Sequence, residues 1–172
     1  MKREMNQLKK YFGMGMIGAG ISLALLAVAW AIDHFWSWPG IMTDRVVLGR
    51  IGAVLMALGL GLHIWSFATL RNWWFHDRLC TGGPFRFVRH PMYAAWITLI
   101  CPGLALELNS WPILVWAVCL HPLWHVLVWP EERLMAERFG EDYQALAART
   151  GRFIPRPSFS AGSKTRRKDG GS

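Results

Sequence analysis

The chain has 172 residues, 53% of them hydrophobic and eleven of them tryptophan, with 19 Lys and Arg against 11 Asp and Glu for a formal net charge of +8. That length holds one domain or one membrane bundle, and the basic residues gather between and after apolar runs, which puts nucleic-acid binding well behind a membrane protein with charged cytoplasmic segments. The three cysteines, Cys80, Cys101 and Cys119, form no CxxC pair and are odd in number, which argues against a disulfide framework and a zinc site.

The N-terminal stretch "MKREMNQLKKYFG" leads into Phe12–Ile32, an uncharged run long enough for a bilayer core of about 20 residues. No small-residue cleavage site follows a short apolar core, so this reads as a retained first span and not a signal peptide. A second span is predicted over Ile51–Leu70, with His63 as its one ionisable residue. A third, from Pro91 to about Leu106, is short and interrupted by Pro102-Gly103. A fourth covers Trp111–Trp129, uncharged except for His121 and His125. Only "ELNS" separates the last two, which predicts a tight hairpin. The expected fold is therefore an all-α integral membrane bundle of about four spans.

The loop charges orient it. Lys2, Arg3, Lys9 and Lys10 precede the first span, and Arg71, Arg78, Arg86 and Arg89 lie between the second and third. Nine Lys and Arg residues follow the fourth. The 33–50 segment has only Arg45 and Arg50, offset by Asp33 and Asp44, and "ELNS" has none. Both termini and the central loop are thus expected on the cytoplasmic side. Trp36, Trp38 and Trp111 would mark the opposite interface, and Trp73, Trp74 and Trp129 the cytoplasmic one.

After the fourth span, Glu131–Arg149 is predicted to be helical from the spacing of Met135, Phe139, Tyr143 and Leu146, with Gly140 a weak point and Gly151 a stop. "RFIPRP", residues 152–157, should be extended, because residues before proline avoid the helical region. A membrane domain over residues 1–155 and a polar, basic, disordered tail over 156–172, able to touch anionic lipid, complete the chain.

The chemistry concentrates at one lip. "GGPFRFVRHPMY", residues 82–93, enters the third span, and "WPEERLMAERFGEDYQ", residues 129–144, leaves the fourth on the same side. Pro91 fixes the backbone at a helix start, while His90 and Tyr93 are three apart and share a face. Glu131 and Glu132 are costly at a membrane exit unless they meet cations, donors or ligand hydroxyls. Adjacent helical residues point about 100° apart, so one of the two can take a ligand while the other takes an arginine. Interfacial anchoring explains the same residues without a ligand.

These segments resemble the isoprenylcysteine carboxyl methyltransferase family and its phospholipid methyltransferase relatives. "LCTGGPFRFVRHPMYAAW" stands in place of a "TSGPYRYVRHPxYxG" pattern, and "EERLMAERFGEDYQALAARTGRFIP" supplies the "EE", "RFGxxY" and closing "R-x-I-P" elements, together covering Leu79–Pro155. The resemblance implies a membrane methyltransferase that uses S-adenosylmethionine on a lipidic or membrane-partitioned acceptor, such as a prenylcysteine, a phospholipid amine or a small thiol. It implies cofactor contacts from His90, Pro91, Tyr93, Glu131 and Glu132, and catalytic roles for Arg89 and Glu132, with Glu132 favoured over Glu131. Arg89, Arg149 or Arg152 would suit a carboxylate of cofactor or acceptor. One departure is Ala95 where the family often has glycine.

Two rival classes are a non-catalytic membrane partner and a haem- or metal-binding redox protein. The second rests on His121 and His125, four apart on one helix face, and on His63 in another span.

Overall fold

The computed structural model describes residues 2–36, 38–73 and 78–156; side chains are described from Gly15 onward, Asn72 excepted. The basic tail from Ser158 and the Trp74 belt position lie outside the described residues. The described chain is helical: α1 (Lys2–Phe35), α2 (Arg45–Trp73), α3 (Pro91–Ala94), a π-helical segment (Ala95–Ile100), α4 (Cys101–Glu107), α5 (Trp111–Leu127) and α6 (Trp129–Arg149), with a short 3-10 turn at Gly83–Arg86.

Among the described residues, three helical stretches are long and apolar enough to cross a membrane: Gly15–Phe35, Arg45–Arg71 and Trp111–Arg149. Only 17% of the apolar window is buried in each of the first two, so their outer faces need an apolar medium outside the protein. The third stretch joins apolar α5 to charged α6. Residues 91–107, expected as one interrupted span, form three consecutive helical pieces. Pro102 accounts for the division. It has no N–H to give to residue 98, and its ring would crowd that carbonyl, so the turns just before it widen into the π segment.

The core forms where this helical stretch meets α5. Ile97, Cys101 and Ala105 recur every fourth residue and pack with Ile113, Ala117, Leu120 and Trp124, all nearly inaccessible. On the other side, α2 approaches at backbone distance. A Cβ built on Gly52 would lie 2.5 Å from the Gly103 carbonyl oxygen, and one on Gly103 would lie 2.8 Å from that of Gly52. Gly59 repeats the device one step along, against Ile100 and Leu99. Helices without a hydrophobic driving force between them in lipid associate through such close contact.

Polar ties then fix α1 and the turns. Ser22, fully buried on α1, gives its hydroxyl proton to the Gly18 carbonyl at 2.7 Å and accepts the Trp124 indole N–H at 3.1 Å. The Trp116 indole donates to the Ser22 carbonyl at 3.0 Å. Asp44 caps α2 by accepting from the Val46 and Val47 amides at 3.0 and 3.1 Å. Buried Asn109, at φ 52° in the turn after α4, accepts the Met42 amide at 3.0 Å and donates to the Met42 carbonyl at 3.1 Å. The reversals between α1 and α2 and between α4 and α5 therefore sit together.

Beyond α6, the chain returns to the lip. Val88 and Gly151 form a parallel bridge, the Arg89 amide donates to the Gly151 carbonyl at 2.8 Å, and the His90 amide to that of Arg152 at 3.0 Å. Residues 152–154, expected to be extended, instead bend just after this bridge, and Pro157 lies outside the described residues. Gly151 is obligatory here, since a Cβ would overlap the Ile154 carbonyl. Within α6, Gly140 adopts φ 51° and kinks the helix where a weak point was expected.

Gly103→Leu is expected to cost about 1–3 kcal/mol by forcing α2 and α4 apart. Gly61→Leu, at a position with nothing within 4 Å, is expected to cost nothing. Thermal denaturation of both variants in one detergent checks the contrast.

Candidate active site

Pro91 opens α3, and His90 before it holds non-helical φ and ψ of −122° and 64°. Its ring therefore stays beside the helix start, 8% exposed. Val128 ends α5, Pro130 lies in the first turn of α6, and Glu131 and Glu132 follow in that same turn, just past the apolar stretch. The structure brings Arg89, His90, Tyr93, Glu131 and Glu132 together, as expected. Pro91 sets the backbone beneath them.

The two carboxylates have different fates. Glu132 accepts from Arg89 Nε through one oxygen at 2.8 Å and from Arg152 Nε through the other at 2.8 Å, with Arg152 Nη2 at 2.6 Å. Burial alone would raise its pKa, but the His90 ring and the Arg152 and Arg89 guanidinium groups hold it well below the usual carboxylate range. Arg89 also donates to the Ala147 and Thr150 carbonyls at 3.1 and 2.6 Å, so one guanidinium joins the start of α6 to its last turn. Arg149 is exposed and is not brought to the site.

Glu131 points elsewhere. It accepts the Tyr93 hydroxyl at 3.2 Å, and its other oxygen lies 3.8 Å from His90 Nδ1. Burial raises its pKa; the His90 ring and the Tyr93 hydroxyl oppose that rise, and Glu132 adds to it. The His90 ring stands between the carboxylates, with Nε2 3.5 Å from Glu132 but without hydrogen-bond geometry. It stacks on Tyr93 at 5.6 Å, and Tyr93 packs on Trp124 at 4.6 Å.

A cavity of about 540 Å³ opens beside these groups. Glu131, His90, Pro91, Tyr93 and Arg89 line it, whereas Glu132 does not. α1 contributes Gly15, Met16 and Ala19; α2 contributes His63, Leu70 and Trp73; α6 adds Met135, Phe139, Tyr143 and Leu146. The wall is mostly apolar with a few polar groups, and the volume suits a small molecule. His63 Nδ1, His90 Nε2 and Tyr143 Oη are buried without a hydrogen-bond partner among the described residues, and all three residues line this cavity. Each bare polar atom costs about 1–3 kcal/mol, so their grouping favours a polar ligand.

Some of this was hidden in the sequence. Tyr143 reads there as part of a helical stripe and as the last residue of the "RFGxxY" element, with no ligand role attached. Gly15 and Ala19, four apart, look like ordinary packing residues of a first span. The Gly82-Gly83-Pro84 turn presses Gly83, at φ 52°, against Thr69 of α2. Ala95 is fully buried at the start of the π segment and does not line the cavity. His121 approaches Thr98 at 3.5 Å, the ring of His125 meets Arg152 at 3.3 Å, and both rings pack on buried Phe153.

Because the folded-state pKa of Glu132 is depressed, its stabilising contribution is complete at neutral pH. It is lost progressively as pH falls below about 4.3, the unfolded value. Glu132→Gln is expected to flatten that acid-side loss and to cost about 3–5 kcal/mol at neutral pH by leaving two guanidinium groups unpaired. Denaturation of both proteins at stepped pH checks it.

No curated protein and no solved structure is significantly similar to the chain. Residues 48–142 match the phospholipid methyltransferase family. That region runs from α2 through Glu131, Glu132 and the first two-thirds of α6, and it is more than half of the 172 residues. Its members are methyltransferases, as the resemblance at the lip implies, and this chain belongs to the phospholipid methyltransferase family.

Proposed function

We propose that the protein transfers a methyl group from S-adenosylmethionine to a lipidic or membrane-partitioned acceptor, in the cavity at the lip. The observation that carries this is Glu131: a largely buried carboxylate on the wall of a mostly apolar cavity, whose partners among the described residues are a hydroxyl and an imidazole. Such a group calls for a cation. The proposed donor carries two, a sulfonium and an ammonium, and supplies the activated methyl group when bound.

The residues divide the task. Glu131 and Tyr93 would hold the amino group or ribose hydroxyls, with His90 beside them. The aromatic faces of Tyr93, Trp96 and Trp124 line the same space and suit an onium centre. Glu132, expected from the sequence as the stronger catalytic and binding candidate, is proposed instead to hold Arg89 and Arg152 in place, because both its oxygens are taken and it lies outside the cavity wall. Arg89 shares that role, since its guanidinium is committed to Glu132 and α6.

Residues 91–107 are proposed as a short fourth span, paired with α5 as a hairpin, with both termini and the lip cytoplasmic. The charge distribution supports this. A soluble donor then arrives from the cytosol and an acceptor from the bilayer. A prenylcysteine carboxylate needs no general base because it is nucleophilic when ionised. A phospholipid amine or a thiol must lose a proton, which His90 can accept.

Glu131→Gln is expected to weaken S-adenosylmethionine binding about tenfold to a hundredfold, roughly 1.5–3 kcal/mol. Calorimetric titration in nanodiscs measures it; unchanged affinity would remove Glu131 from the cofactor site. Cysteines placed at Asp44 and Phe85 are expected to label from opposite faces, and one at Ser163 from the same face as Phe85. Labelling of positions 85 and 163 from opposite faces would sink the proposed topology.

A further inference from the structure

The cavity has polar groups at two separated places. One is the lip, with His90, Tyr93 and Glu131. The other is His63, on the wall that α2 provides. His63 lies eight residues before Arg71, where the apolar stretch of α2 ends. At 1.5 Å per residue that is about 12 Å into the apolar slab. His63, Leu70 and Trp73 follow at i, i+7 and i+10, one stripe of the helix, and all three line the cavity. Across from them, α1 offers Gly15, Met16 and Ala19, which carry no hydrogen-bonding side chain.

Helix packing does not explain a histidine here. Gly59, one turn earlier, makes the close approach to Ile100 and Leu99. Ser66, one turn later, is fully buried and bonded to the Leu62 carbonyl at 2.6 Å. His63 Nδ1 has no partner among the described residues. An imidazole kept at this depth with a bare ring nitrogen is costly unless a ligand pairs with it.

We propose that His63 is a specificity-determining contact for the body of the acceptor, donating its ring N–H to an ester carbonyl of a glycerophospholipid whose headgroup lies at the lip. This rests on the cavity being the methyl-transfer site. The orientation follows from amphiphile chemistry: the headgroup stays with the charged residues, the ester linkages fall below it inside the apolar wall, and the hydrocarbon continues into the bilayer. An isoprenyl chain has no hydrogen-bonding atom at that depth and would leave the histidine bare.

The test compares two lipids on the full-length protein in detergent. Dioleoyl phosphatidylethanolamine and its dialkyl-ether counterpart share a headgroup, but only the first has ester carbonyls. Retention is read by native mass spectrometry, with farnesylcysteine as a third probe. The parent protein is expected to retain the diester about tenfold better than the diether. His63→Phe, which keeps a ring and loses the donor, is expected to equalise them, and His63→Gln, which keeps a donor, to preserve part of the preference. Equal retention by the parent, an undiminished preference in His63→Phe, or farnesylcysteine retained as well as the diester would overturn the proposal. If His63→Phe does not fold, the parent's ester-to-ether ratio and the Gln variant still decide. Titration with S-adenosylmethionine runs alongside and separates the two ideas. Cofactor binding without an ester preference leaves the methyltransferase reading standing and removes His63, whereas a His63-dependent ester preference without cofactor binding removes the methyltransferase reading and leaves His63 a contact for a bound lipid that is no acceptor, which overturns its role in acceptor specificity.

Discussion

A carboxylate at the end of an apolar helix cannot stay ionised without cations nearby, and Glu132 obtains two. Arg89 comes from the loop before α3 and Arg152 from the segment after α6. Three parts of the chain, distant in sequence, are thereby held at one point. Such a cluster adds little net stability, because desolvation offsets much of the attraction, but removing one member is expensive. Its effect is to specify an arrangement. Once Arg89 and Arg152 flank Glu132, the backbone bonds from Arg89 and His90 to Gly151 and Arg152 set the chain beside the lip, and Phe153 seats against the His90, His121 and His125 rings.

That arrangement also aims its neighbour. Residues adjacent on a helix diverge by about 100°, so committing Glu132 to the arginines turns Glu131 toward Tyr93 and the cavity. The two glutamates form an inseparable pair in sequence and a divided one in space. One is neutralised within the protein, and the other has a hydroxyl and an imidazole as its partners among the described residues. The helix dipole favours negative charge in this first turn at both positions, so what distinguishes them is which cations lie within reach.

Much of this was legible in the sequence. The helix locations follow from uncharged runs, and the meeting of residues 82–93 with residues 129–144 follows from two apolar stretches joined by four residues. The choice between Glu131 and Glu132 was not legible, since helical spacing fixes their difference in direction but not the absolute direction. Pro102 announces an interruption, but not that the turns before it widen into a π segment while the chain stays helical. Ala95 shows the same limit. Its methyl in place of a family glycine suggests a narrowed pocket, but the residue is buried away from the cavity, and its carbonyl lies near Gly59 of α2.

The part of the cavity least constrained by the family is α1. The family match begins at residue 48, so α1 lies outside it, yet Gly15, Met16 and Ala19 form one wall. Gly15 lies close against the Tyr93 hydroxyl, where a Cβ would come within 3.0 Å, and Gly18 against Trp124, where it would come within 2.8 Å. α1 is registered on α5 by the Ser22 bonds to Trp116 and Trp124. The groups at the lip are supplied by the matched region and its C-terminal continuation, while the width of the space beside them is set by small residues on a helix that region does not contain. A bulkier residue at position 15 would push on Tyr93, and through it on Glu131, without touching the arginine cluster. Chemistry and cavity shape are therefore carried by separable parts of the chain, joined through the Tyr93 ring.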